Sequence, residues 1–227
     1  GVCQHALRRV VVLPVSAAIP SPAWPAARVA ATGGVLALTA MWLAPWERLL
    51  VGHFPAHMIR HMVMVALAPP MLLLAWPALG RVFGVSPLLG AVVEFALVWG
   101  WHVPAAHALA RGGAGWFALE QGSFLLAGLL VWAGCLRRDT PLAGAGGLLL
   151  TSMHITLLGA LIVLAPRALY PDAHAGHGGD AALAGQQLGG LVMLGIGTPA
   201  YLIAGLWQTA RALRDPEHDG ERSTPCA

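Results

Sequence analysis

The feature that most limits what this chain can fold into is the recurrence of apolar stretches about as long as a bilayer is thick. A helix needs about 20 mostly apolar residues to cross the hydrocarbon core, and six stretches meet that requirement: Ala27–Pro45, His57–Trp76, Pro87–Val103, Gly115–Cys135, Gly144–Ala165 and Gln187–Ala210. None alternates with period two, so helices rather than barrel strands are expected, because lipid leaves no other way to satisfy the backbone. Only 10% of the residues are charged, whereas soluble domains carry about a quarter. The expected fold class is all-α, a polytopic transmembrane helical bundle. Residues 1–26 form a lead-in that reads as partly disordered or truncated, 27–211 the six-helix domain, and 212–227 a polar, disordered tail. Pro69-Pro70 and Pro199 fall inside spans and are expected to kink them.

Arginine placement gives the expected orientation. With six spans, nine arginines fall on the side of the two termini, three (Arg48, Arg111, Arg167) fall on the other, and Arg60 lies within a span. The positive-inside rule then puts both termini in the cytoplasm. No basic tract is dense enough for nucleic acid. The three cysteines, Cys3, Cys135 and Cys226, have no CxxC spacing, which argues against a disulfide framework or a thiolate metal site.

That orientation sorts the ten histidines. Seven lie outside or near the outer surface: His53, His57, His61, His102, His107, His174 and His177. His57 and His61 are four residues apart in a helix and share a face, about 6 Å apart along the axis. His53 is read as lead-in, because Pro55 belongs in a first turn. His102 ends the third span, and Glu120 lies about a turn into the fourth, so His57, His61, His102 and Glu120 are expected at one depth. His107 is placed in the following loop, and His174 and His177 in a Gly-rich outer loop where they can capture metal loosely. Deeper down, His154 and Glu94 are expected near mid-membrane, paired with each other.

Imidazole ligates copper, zinc, iron and haem. Methionines beside the histidines (Met58, Met62, Met64, Met153) suit Cu(I), although Met58 and Met62 point about 100° from the histidine face. The candidate metal residues are therefore His57, His61, His102, Glu120, His154, His174 and His177. Rival readings are a haem protein moving electrons, a proton or solute conduit through Glu94 and His154, and a metal-free scaffold. HExxH, P-loop and GxSxG motifs are lacking, which points away from an enzyme.

Several of these stretches together resemble the CtaG-like family of cytochrome c oxidase assembly factors linked to caa3-type oxidases. They are His57-Met-Ile-Arg-His61-Met, Ala68-Pro69-Pro70 through Trp76-Pro77, Trp101-His102-Val-Pro104, Leu119-Glu120-Gln-Gly-Ser123, Leu158 through Tyr170-Pro171, and Gln186-Gln187-Leu-Gly-Gly190. The chain departs from the family pattern at Gln121, where a histidine is frequent, and at Gly185, where an acidic residue is. The resemblance implies a bacterial inner-membrane protein that helps build the oxidase through copper handling, with an oxidase subunit as partner.

Overall fold

The computed structural model describes residues 24–43, 53–137, 139–170 and 179–214. Every element among them is helical. We number them α1 (Trp24–Leu43), α2 (His53–Ala75), α3 (Leu79–Phe83), α4 (Pro87–His102), α5 (Pro104–Arg111), α6 (Ala114–Cys135), α7 (Pro141–Leu164) and α8 (Gly179–Arg214). Among the described residues α2, α6, α7 and α8 are long and apolar enough to cross a membrane, and the bent pair α4–α5 makes a fifth if taken as one span. The count of six expected from the sequence is not confirmed among the described residues, where four or five helices meet that standard. The lead-in before Trp24 and the tail after Arg214 lie outside the described residues, as do His174 and His177. Helix α8 has 36 residues, roughly 54 Å of helix, so it runs well beyond a core of about 30 Å.

Prolines and small residues set the helix boundaries that matter here. Ser86 caps α4 by accepting from the Leu89 N–H at 3.3 Å, with Pro87 in the first turn. At the other end Val103, extended at φ −63° and ψ 130°, precedes Pro104, and the chain turns by 76° into α5. Helix α2 starts at His53, a turn earlier than the sequence suggested, with Pro55 in its first turn.

The proline pair in α2 is met by a π-helical turn over Val63–Leu67, just ahead of it, with the Ala68 N–H bonding the Val63 carbonyl. Pro69 has no N–H to offer the carbonyl of Val65 four residues back. That carbonyl accepts instead from the Trp132 indole at 3.3 Å and the Tyr201 hydroxyl at 2.9 Å, from α6 and α8. Gly128 of α6 sits directly against this turn. A Cβ there would lie 2.5 Å from the Val65 oxygen and 2.6 Å from Pro69.

Close glycine contacts also bring α7 and α8 together. A Cβ on Gly190 would lie 3.0 Å from the Gly159 carbonyl and 2.7 Å from Val163. At one end of this pair Gln186 donates to the Ile162 carbonyl at 3.1 Å and accepts from the Leu169 N–H at 2.6 Å. This pins the loop that carries Tyr170. At the other end Gln208 donates to the Cys135 carbonyl.

Candidate metal centre

Four helices meet where α2 begins and α4 ends. His57 and His61 project from α2, His102 from the end of α4, His107 from α5 and Glu120 from α6. All five side chains are buried. The Nε2–H of His57 donates to Glu120 Oε1 at 3.1 Å, and His61 Nε2 stands 3.3 Å from the same oxygen. The His57 ring packs edgewise on His61 at 4.1 Å between centroids and on His107 at 4.8 Å, while His61 lies 5.6 Å from His102. His57, His107 and Glu120 each offer a ligand atom, and these lie within 4.8 Å of one another.

Other side chains hold these groups in place. Gln121 donates to Glu120 Oε2 at 3.1 Å. Ser123 donates to the Glu120 carbonyl at 2.7 Å and accepts from the Trp101 indole at 2.8 Å. His102 Nδ1–H donates to the Val98 carbonyl at 2.6 Å, which leaves Nε2 as the bare nitrogen. Tyr170 donates to the His102 carbonyl at 2.6 Å and stacks on Phe54 at 4.6 Å. Burial raises the Tyr170 phenol to about 12, so it stays a donor across the physiological range.

The nitrogen inventory identifies what such a cluster could do. His61 Nδ1, His102 Nε2 and His107 Nδ1 are buried without a hydrogen-bond partner, while His61 Nε2 faces Glu120. Each orphaned polar atom costs about 1–3 kcal/mol. These rings, with His57, bring imidazole nitrogens around one carboxylate, an N/O donor set that fits a borderline transition metal rather than magnesium or calcium. An open cavity of about 420 Å³, lined among others by His53, Phe54, His57, Arg60, His107, Arg111 and Phe117, leads to it.

The sequence-predicted residues divide accordingly. His57, His61, His102 and Glu120 do come together. His154 does not: it lies on α7 against the Phe95 ring, at 5.4 Å, with neither nitrogen hydrogen-bonded. The expected Glu94–His154 pair is replaced by a hydrogen bond between Glu94 and Tyr201. Met58 and Met62 are buried in the core, where Met58 abuts Gly189 and Met62 abuts Gly197 on α8, and Met153 is exposed on the outside of the bundle. His107, read from sequence as a loop residue, is a member of the cluster. Its signal was present in Pro104-Ala-Ala-His107, a proline in position to start a short helix.

The fold and site define a polytopic helical membrane protein with a buried imidazole–carboxylate centre reached through an open cavity. The family model for the cytochrome c oxidase caa3 assembly factor (Caa3_CtaG) matches residues 7–215, and the chain belongs to that family. No curated protein and no solved structure matches it.

Proposed function

We propose that this protein assists cytochrome c oxidase assembly by binding copper as cargo at the cluster of His57, His61, His102, His107 and Glu120. The carrying observation is the convergence of ligand atoms from His57, His107 and Glu120 within 4.8 Å of one another, beside a cavity lined by His57 and His107. Copper is the favoured metal because imidazole-rich donor sets bind it above the other divalent first-row metals. His102 already has the arrangement typical of a metal-ligating histidine, one nitrogen fixed to a carbonyl and the other bare. Glu120 holds His57 and offsets the charge of the cargo. The role is non-enzymatic: the protein holds the ion and presents it to an oxidase subunit.

In this reading the cavity faces outward from a bacterial inner membrane, with both termini cytoplasmic, as the arginine distribution suggests. The haem alternative has less support. The rings meet at 4.1 to 5.6 Å around one carboxylate, which leaves no slot for a macrocycle between two axial imidazoles.

The test is elemental analysis of protein purified in detergent after copper loading. We expect retained copper in the native chain and its loss when His57 and His61 are both replaced by Ala. Equal copper in a folded double variant would overturn the site.

A further inference from the structure

We propose that Glu94 is a second site, independent of the metal cluster: a proton-binding carboxyl at mid-depth in the bundle, read out through Tyr201 by the π-helical turn of α2. Glu94 sits in the middle of α4 and is completely buried. An ionisable group buried within an apolar helical bundle is costly to keep and points to a role. Among the described residues it has no cationic partner. Its contacts are the Tyr201 hydroxyl of α8 and, beside it, Thr151 of α7. The groups around it that titrate are Tyr201, Cys135 of α6, and His154 one turn beyond Thr151 on α7.

Counting hydrogens assigns the state of this carboxyl. The Tyr201 hydroxyl has a single hydrogen and two oxygen neighbours, the Val65 carbonyl at 2.9 Å and Glu94 Oε1. A carbonyl can only accept, so Tyr201 donates to Val65. The hydrogen between Tyr201 and Glu94 must then come from Glu94, which is the neutral acid in this arrangement. When Glu94 gives up its proton, Tyr201 can turn its hydrogen onto the carboxylate and release Val65. The Val65 carbonyl is the one that Pro69 leaves without an intrahelical donor, and it then keeps only the Trp132 indole. One proton on Glu94 therefore selects between two hydrogen-bond patterns, and the relay ends four residues along α2 from His61.

Glu94 Oε2 and Thr151 Oγ1 are both buried without a partner in good hydrogen-bond geometry. This gives the carboxyl a second hydroxyl neighbour on the face away from Tyr201, one that can donate a hydrogen bond to it but cannot take its proton. The ligand class is the proton alone. The nearest imidazole of the metal cluster on this helix, His102, is eight residues away.

Infrared spectroscopy of the full-length protein in lipid tests the proposal. At neutral pH we expect one carboxylic-acid C=O band that shifts in heavy water and is lost in Glu94→Gln. Tyr201→Phe, which keeps the ring, should displace that band without removing it. On raising the pH, loss of the acid band and a change in the tyrosine ring modes should occur together. Absence of the band, its persistence in Glu94→Gln, or an unmoved band in a helical Tyr201→Phe protein would each overturn the assignment. So would acid and tyrosine signals that change at different pH.

Discussion

Glu120 and Glu94 are both fully buried carboxyls between helices of one bundle, and their surroundings differ in every respect that decides chemistry. Glu120 has two imidazole nitrogens within 3.3 Å of one oxygen, a glutamine amide on the other, and an open cavity leading to the cluster. Its neighbours supply hydrogens or positive charge, so the carboxylate form is the one the site is built around. Glu94 has a tyrosine hydroxyl and a threonine, and its tyrosine also faces the Val65 carbonyl. The first arrangement suits a cation; the second suits a proton. A buried glutamate by itself therefore identifies no function; the donors around it decide which protonation form its site favours.

The comparison can be broken most severely at the imidazoles. Replacing His57 and His61 together should abolish copper retention, whereas Glu94→Gln should leave copper stoichiometry unchanged; loss in both would collapse the distinction. Next in size is a structural effect. Gly128→Val places carbon against the Val65 carbonyl and Pro69. Overpacking of this kind costs about 1–3 kcal/mol, and the variant should show lower thermal stability in detergent, while Gly122→Ala, with open space around its Cβ, should not.

An effect of comparable size is expected at the residues that orient the cluster. Glu120→Gln keeps the shape and removes the charge. Losses at groups that orient metal ligands are about 10–100-fold in affinity, and competition titration against a copper chelator would measure it. Gln121→Ala, which removes only one hydrogen bond to Glu120, should fall at or below the low end of that range in the same titration.

The smallest effect belongs to a third carboxylate. Asp139 is held by two hydrogen bonds from Arg137, at 3.1 and 2.8 Å, and its carboxyl is lowered by that guanidinium. Its folded pKa lies below the unfolded one. Its contribution is therefore complete above the ordinary aspartate range and fades as pH falls through the lowered value. The side chain is 44% exposed, so Asp139→Asn should cost no more than about 1 kcal/mol, and thermal melts at neutral and acidic pH should show that small difference shrinking in acid.

Much of this was legible in the sequence, for reasons that can be named. Apolar runs fix helices in lipid almost regardless of detail, and α2, α4, α6, α7 and α8 all fall where those runs lie. The convergence of His57, His61, His102 and Glu120 followed from placing residues at one depth, because helices that enter and leave on the same side carry their ends to the same level. His107 was missed because α5 is eight residues long and amphipathic, too short to show as an apolar run. The partner of Glu94 was missed for a different reason. Tyr201 is 107 residues away, and its hydroxyl is drawn there by a carbonyl that Pro69 leaves without a donor. Depth alone paired Glu94 with His154, but rotation about the helix axis, which the uniformly apolar stretches do not encode, turns His154 onto Phe95 instead.

The account rests on imidazoles rather than sulfur holding the metal, since Met58 and Met62 face α8 and Met153 faces outward. X-ray absorption at the copper edge of the loaded full-length protein tests this most directly. The account predicts a first shell of nitrogen and oxygen with the multiple-scattering pattern of at least two imidazoles, lost in the His57 and His61 double variant. A shell dominated by sulfur, or one unchanged in a folded double variant, would contradict it.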